Sequence, residues 1–149
     1  MQKSEISREN FNQNYNCSQS VLAAFAPELG LDRDLALRMA TGMGAGLARQ
    51  GGTCGAVLGA ILAIGLKAGM GEKDSPANKD KTYTMVQEFT RRFTALHGSI
   101  QCPGLLGLDL SIPEERQSAQ DQGLFKSQCP IFVMDSARLV EELFDEIEN

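Results

Sequence analysis

The sequence predicts an all-α fold, and three observations lead to that prediction. Apolar residues recur at spacings of three and four along most of the chain, which is the period of an amphipathic helix. No run alternates β-branched and polar residues between turn signals, as a half-buried strand would. The length of 149 residues suits one domain. We therefore expect residues 1–149 to form a single domain, a compact bundle of about five helices around a buried central helix.

Two short helices are predicted near the start of the chain. The first carries Cys17, Val21 and Phe25 on one face and stops near Pro27, so Cys17 points towards the core with Val21. Asp32 then precedes a second run with helical periodicity. An aspartate in that position accepts hydrogen bonds from the free amides of a helix start.

A central helix is predicted over residues 54–68, where the chain is apolar on nearly every side. We expect Gly52 or Thr53 to cap it. Gly55 and Gly59 lie four residues apart on one stripe of this helix. Because neither has a side chain, the backbone of another helix can approach closely there.

Two longer amphipathic helices are predicted in the second half of the chain. Ser75 as a cap and Pro76 at the first helical position predict a start, and Gly98 predicts the end of that helix. The C-terminal helix has apolar residues at helical spacing from Val133 to Ile147 and a run of acidic residues on its other face. We interpret the acidic face as solvated.

The segment 98–130 is rich in proline and glycine and is predicted to be long and irregular. A short helix near Pro113 is the one regular element expected within it. Segments of this length inside a compact domain are uncommon unless they are functional or tied down. Cys102 lies near its beginning and Cys129 near its end. We expect the segment to pack over the N-terminal end of the central helix.

Composition and charge argue against several classes of protein. The net charge of −5 argues against a nucleic-acid binder, which needs a basic face. The longest apolar stretch is shorter than the ~20 residues that a bilayer span needs, and the first residues lack the apolar core of a secretory signal. We therefore expect a cytoplasmic protein without a membrane span. Cysteines in that compartment are typically metal ligands, redox groups or core residues.

The candidate functional residues are the four cysteines, Cys17, Cys54, Cys102 and Cys129. No two of them form a CxxC pair, so neither a zinc ribbon nor a thioredoxin-like motif is indicated. Cys54 is predicted to open the central helix, where free amides and the helix dipole would lower the pKa of its thiol. Cys102 and Cys129 are each followed by proline. The spacing permits all four to converge.

Three weaker features have a functional and a plain structural interpretation. The run Gly42–Gly46 is similar to a nucleotide-binding loop, but the helix predicted before it favours a packing or turn role. His97, the only histidine, could assist a thiolate or bind a metal. Arg49 precedes Cys54 closely and could stabilise its thiolate or an anion, with a surface charge as the alternative.

The motif Cys54–Gly59, which reads CGAVLG, resembles that of the redox-active proteins of the C_GCAxxG_C_C family. Cys17, Cys102 and Cys129 occupy the places of the family's other three cysteines, and the resemblance extends over residues 15–139. The family's name writes Gly before Cys-Ala, where this chain reads Cys-Gly-Ala. The family is typical of bacteria and archaea, and its genes often lie near those of transporters or oxidoreductases. The resemblance implies redox chemistry on the four cysteines and a redox or transporter protein as partner.

Three functions are open at this point. In the first, which we favour, thiol–disulfide chemistry uses Cys54 as the attacking thiol and Cys102 or Cys129 as its resolving partner. In the second, all four cysteines, including Cys17, bind an iron–sulfur cluster or zinc in an electron carrier. In the third, the chain is a structural or adaptor module for a transporter or oxidoreductase, with the acidic C-terminal helix as its contact surface.

Overall fold

Helices form the fold throughout residues 1–148, which are the residues that the computed structural model describes. Within them no strand occurs, and an isolated antiparallel bridge pairs Thr53 with Gln101. The all-α prediction is confirmed. The helices, in chain order, are α1 Lys3–Asn12, α2 Cys17–Phe25, α3 Arg33–Ala40, α4 Gly44–Arg49, α5 Gly55–Ala68, α6 Pro76–His97, α7 Cys102–Leu106, α8 Pro113–Asp121, α9 Leu124–Ser127 and α10 Cys129–Glu148.

The central helix is α5. It packs against α2, α6 and α10, and its Val57 and Ile64 are fully buried. A Cβ on Gly59 would lie 2.6 Å from the carbonyl oxygen of Ser18 in α2, so the two backbones touch, as the stripe of glycines predicts. Neither α5 nor any other helix of residues 1–148 is long and apolar enough to cross a membrane.

Three helix ends follow the predicted cap residues. The Asp32 carboxylate accepts a hydrogen bond from the Leu35 amide at the start of α3 (3.1 Å). The Ser75 hydroxyl accepts one from the Ala77 amide at the start of α6 (3.3 Å). Gly98 ends α6 with a φ of +83°, a conformation that favours glycine.

The cap of α5 differs from the prediction. Cys54 is the cap residue, in an extended conformation with φ of −54° and ψ of 133°, where Gly52 or Thr53 was expected. The reason is tertiary, because the bridge to Gln101 holds Thr53 outside the helix. The first turn of α5 therefore begins directly after the cysteine.

The periodicity of apolar residues does not predict α1. Its most buried residues are polar, with Lys3, Ser7 and Asn10 buried against α2 and α10, while Ile6 and Phe11 pack against the core in part. The side-chain amide of Asn10 donates to the Ser20 carbonyl (3.1 Å), and the Lys3 ammonium lies 2.6 Å from the Glu28 carboxylate. Specific polar contacts thus dock this helix where a hydrophobic stripe is absent.

The segment α4 is a left-handed turn. Its residues Ala45, Gly46, Leu47, Ala48 and Arg49 all have φ between +55° and +68°. Residues other than glycine adopt this conformation at a cost of roughly 1–2 kcal/mol each. No strand precedes the turn within residues 1–148, which agrees with the turn role predicted for this glycine-rich run.

Segment 98–130 is more regular than predicted. It contains α7, α8 and α9, with Gly107 and Gly123 in the left-handed region between them. Proline and glycine punctuate these short helices, since proline suits a helix start and glycine a helix end. The prediction of a long irregular stretch is therefore wrong in this detail, although the segment does carry Cys102 and lead to Cys129.

The acidic face of α10 is largely exposed, as predicted. Two of its carboxylates also reach neighbouring helices. Glu146 pairs with Arg92 of α6 (2.9 Å), and Glu148 pairs with Lys67 of α5 (2.7 Å). Exposed pairs of this kind contribute about 0–1 kcal/mol each.

Candidate functional site

Each of the four cysteines lies at the start of a helix. Cys17, Cys102 and Cys129 are the first residues of α2, α7 and α10, and Cys54 caps α5. Free backbone amides and the positive end of the helix dipole are found at such positions. A proline follows both Cys102 and Cys129, which suits these positions because the first helical turn needs no amide donor.

The antiparallel bridge brings Cys54 and Cys102 together. The Cys54 amide donates to the Ile100 carbonyl (2.7 Å), and the Cys102 amide donates to the Gly52 carbonyl (2.8 Å). In this register the two cysteine side chains are diagonal neighbours on one face of the paired segments. Backbone hydrogen bonds therefore fix the first pair of thiols.

Cys17 and Cys129 form a second pair. Their thiol groups are near enough to shift each other's pKa in opposite directions, where α2 packs against α10. A Cβ on Gly55 would lie 3.2 Å from the Cβ of Cys17, so the glycine that follows Cys54 in the sequence motif leaves room for Cys17. All four cysteines are free thiols.

One cavity of about 530 Å³ is lined by all four cysteines. This volume is within the range of small-molecule sites, ~300–1,000 Å³. Arg49 and Gln117 on its wall are exposed and Arg116 is half-buried, so this side forms the mouth. Its apolar wall includes Phe11, Leu105, Leu106, Leu110, Phe125 and Phe132, and its polar wall includes Tyr15, Asn16, Arg49, Arg116, Gln117 and Gln120.

The proximity of Cys17 and Cys129 gives the two thiols different acidities. Interaction with the Cys17 thiol lowers the pKa of Cys129 below its ordinary value, against the opposing effect of burial. The same interaction, reinforced by burial, raises the pKa of Cys17 well above its ordinary value. Cys129 is therefore the thiol of the cavity that loses its proton first as the pH rises.

The pKa of Cys54 is raised, contrary to the expectation from its place at a helix start. Burial raises the pKa of Cys54 to about 11, and the amides of Val57 and Ala56 oppose this with smaller effects. Burial, followed by the neighbouring Cys54 and Cys129, raises the pKa of Cys102 to about 12. Desolvation thus outweighs the helix dipole, and both groups are thiols at neutral pH.

Whether the four cysteines can bind a metal ion depends on how closely their thiols are grouped. Four cysteines are a donor set that zinc and iron–sulfur clusters take. Within residues 1–148, however, no three His, Cys, Asp or Glu side chains are placed to hold one metal ion. As arranged, the residues do not fit a single ion, and a metal on these four cysteines stays a hypothesis that requires them to move closer.

His97 lies outside the cavity, and Arg49 lines it. The His97 Nε2 atom is 2.8 Å from a carboxylate oxygen of Asp135. Its ring packs against Phe93 and Phe132, with centroids 4.7 Å and 5.0 Å away. These contacts give His97 a packing role between α6 and α10, whereas Arg49 is placed to contact a molecule bound in the cavity.

The sequence patterns do not single out Arg116, Gln120 or Phe125 as site residues. They lie on α8 and α9, inside the segment that was expected to be irregular. A signal was present, because Pro113 followed by two glutamates marks a helix start. A helix beginning there places Arg116 and Gln120 four residues apart on one face.

The fold and the site together define a class, namely a small all-α protein whose four cysteines begin four helices and share one cavity. A family model described as Putative redox-active protein (C_GCAxxG_C_C) matches residues 15–143. The chain belongs to this family, as its CGAVLG motif and four cysteines indicated. A comparison with curated proteins and one with solved structures gave no match.

Proposed function

We propose that this protein carries out thiol–disulfide exchange, with Cys129 as the attacking thiol and Cys17 as the resolving thiol. The observation that carries the proposal is that these two thiols lie where α2 packs against α10 and line one shared cavity. The roles differ from the sequence-based hypothesis, in which Cys54 attacks, because burial keeps Cys54 protonated. A thiolate, not a thiol, is the nucleophile in this chemistry.

The reaction consumes one substrate disulfide, written R–S–S–R′. The Cys129 thiolate attacks one sulfur, so a Cys129–R disulfide forms and R′S⁻ leaves and takes a proton. Cys17 then loses its proton and attacks the Cys129 sulfur, so the Cys17–Cys129 bond forms and RS⁻ leaves and is protonated. Two electrons pass from the protein to the substrate, which becomes two thiols.

Cys54 and Cys102 supply a second dithiol beside the first. Their pairing across the bridge and their place on the same cavity wall support an internal exchange. In that exchange the second dithiol reduces the Cys17–Cys129 disulfide, and a Cys54–Cys102 disulfide replaces it. The site would then store four electrons in two steps.

The test maps the disulfides of the reduced full-length chain after reaction with one equivalent of 2-hydroxyethyl disulfide. Free thiols are alkylated, and the remaining disulfide is assigned by peptide mass spectrometry. We expect Cys17–Cys129 to be the first bond formed, with Cys129→Ser abolishing it and Cys54→Ser preserving it. Four unreactive thiols, or a first bond that survives Cys129→Ser, would overturn the proposal.

The metal hypothesis is tested on protein purified without oxygen. Iron, sulfide and zinc are quantified on the same sample, and the number of titratable thiols is counted. Four titratable thiols and no stoichiometric metal support the dithiol proposal. Stoichiometric iron with sulfide, or stoichiometric zinc, together with protected thiols would replace it with a metal site.

A further inference from the structure

Two unpaired arginines lie on the wall of the cysteine cavity. Arg49 comes from the left-handed turn α4 and Arg116 from α8. Within residues 1–148 neither side chain forms an ion pair. Arg38, Arg91, Arg92 and Arg138 have carboxylate partners, whereas Arg8 and Arg33, which do not line the cavity, form no ion pair within residues 1–148. The cavity therefore offers positive charge to an incoming molecule.

Asp109, in the α7–α8 connection, and Glu115, in α8, form hydrogen bonds within this segment. The Asp109 carboxylate accepts hydrogen bonds from the Ser111 amide (2.9 Å) and the Ser111 hydroxyl (2.6 Å). The Glu115 carboxylate accepts one from the Asp109 amide (3.2 Å). These bonds hold the loop, and within residues 1–148 neither carboxylate forms an ion pair with Arg116. A guanidinium with no partner is suited to bind a carboxylate through two hydrogen bonds.

The other walls limit the size and character of the ligand. A volume of about 530 Å³ suits a small molecule, whereas a folded protein would need a flat or grooved surface. Phenylalanine and leucine side chains cover the interior, and the side-chain amides of Gln117 and Gln120 add hydrogen-bonding groups. A flexible molecule with an apolar or peptide-like body and anionic ends matches this lining.

We propose that the oxidant of this site is a low-molecular-weight disulfide bearing carboxylates, held at its anionic ends by Arg49 and Arg116 with its sulfur atoms facing Cys129. This inference rests on the proposed dithiol function and adds the class of substrate to it. The exchange follows the steps given above, and the products are two small thiols that carry the carboxylates. Binding of the anionic ends raises the chance that the disulfide is in line with the thiolate.

The net charge of the chain argues against a general attraction of anions. At −5, the whole molecule repels anions at long range. A preference for an anionic disulfide must therefore come from local cations, and it should fall as salt screens them.

The experiment compares three small disulfides of matched length and different charge. They are 3,3′-dithiodipropionate (anionic), 2-hydroxyethyl disulfide (neutral) and cystamine (cationic). The reduced full-length protein is mixed with each, and the second-order rate of thiol loss is measured at pH 7. We expect the anionic disulfide to react about tenfold faster than the neutral one, and cystamine to react more slowly than both.

Substitution of the arginines tests where the preference arises. Arg49→Gln and Arg116→Gln should each lower the rate with the anionic disulfide about tenfold and leave the rate with the neutral one within about twofold. Arg8→Gln is the matched control, because Arg8 is also exposed, also forms no ion pair within residues 1–148 and lies outside the cavity. It should change neither rate.

The outcomes distinguish failure of the anionic-substrate proposal from failure of the dithiol function on which it rests. If no disulfide of any charge oxidises the protein, the dithiol proposal fails. If all three react at similar rates, or if the arginine variants keep the wild-type ratio of anionic to neutral rates, the dithiol function stands and the anionic substrate is wrong.

Discussion

At the scale of single residues, the surroundings of each sulfur decide its reactivity. All four cysteines begin helices, so the helix dipole alone would make them similar. Burial instead raises the pKa of Cys54 to about 11, while the neighbouring Cys17 thiol lowers that of Cys129. The surroundings of the sulfur atoms thus distinguish Cys129 from the other three cysteines.

The alkylation of Cys129 should depend on the donor at position 17. Cys17→Ala removes the neighbouring thiol, so the pKa of Cys129 rises and its alkylation by iodoacetamide at pH 7 slows on the order of tenfold. Cys17→Ser keeps an O–H donor and should retain most of the rate. Peptide mass spectrometry of timed samples, repeated from pH 6 to 10, measures the effect.

The pH profile supplies the control for this prediction. The thiolate fraction of Cys129 should rise at lower pH than that of Cys54, whose pKa of about 11 leaves it protonated over most of this range. Cys54→Ala should leave the Cys129 profile unchanged. Equal profiles for both cysteines in the wild-type chain would contradict the assignment of Cys129 as the attacking thiol.

At the scale of helices, small residues and caps place the cysteines. Caps at Asp32 and Ser75 and the glycine stripe of α5 were predictable, because they depend on neighbours in the sequence. The cap of α5 and the burial of α1 were not, because a distant bridge and polar interhelical contacts decide them. Local rules fix where helices begin, and packing can move that point by a residue or two.

The contact between α2 and α5 should depend on Gly59. A Cβ there would meet the Ser18 carbonyl oxygen at 2.6 Å, so Gly59→Ala must push the helices apart and should destabilise the fold by about 2–3 kcal/mol. Gly65→Ala, in the same helix, is the control. A Cβ at Gly65 meets no atom within 4 Å.

Urea unfolding of the two variants measures this difference. Gly65→Ala should raise the free energy of unfolding by about 0.5–1 kcal/mol, since alanine is the better helix former. If Gly59→Ala proved as stable as Gly65→Ala, the close approach of α2 and α5 would be refuted.

At the scale of the whole molecule, the Cys17–Cys129 pair joins distant parts of the chain. The two cysteines begin α2 and α10, so a bond between them ties most of the sequence into one loop. Closing a loop of about 110 residues reduces the entropy of the unfolded chain by an amount worth up to about 4.7 kcal/mol. Redox state and stability are therefore coupled in the proposed reaction.

Oxidation to the Cys17–Cys129 disulfide should raise the Tm by about 5–10 °C. Calorimetry of the same preparation before and after oxidation with one equivalent of disulfide measures the shift. Cys17→Ser, treated in the same way, should show no change. An oxidised wild-type protein that melted below the reduced form would indicate that bond formation strains the native helices.

The sequence by itself determined the helical fold, several helix ends and the identity of the four cysteines, because spacing, caps and composition act between near neighbours. It also determined the family, through the CGAVLG motif and the order of the cysteines. Tertiary structure decided which thiols pair, since Cys17 and Cys129 meet only when α2 packs against α10. It also decided the acidity of each thiol and the place of Arg116 at the cavity, because burial and cavity shape depend on contacts between residues far apart in the chain.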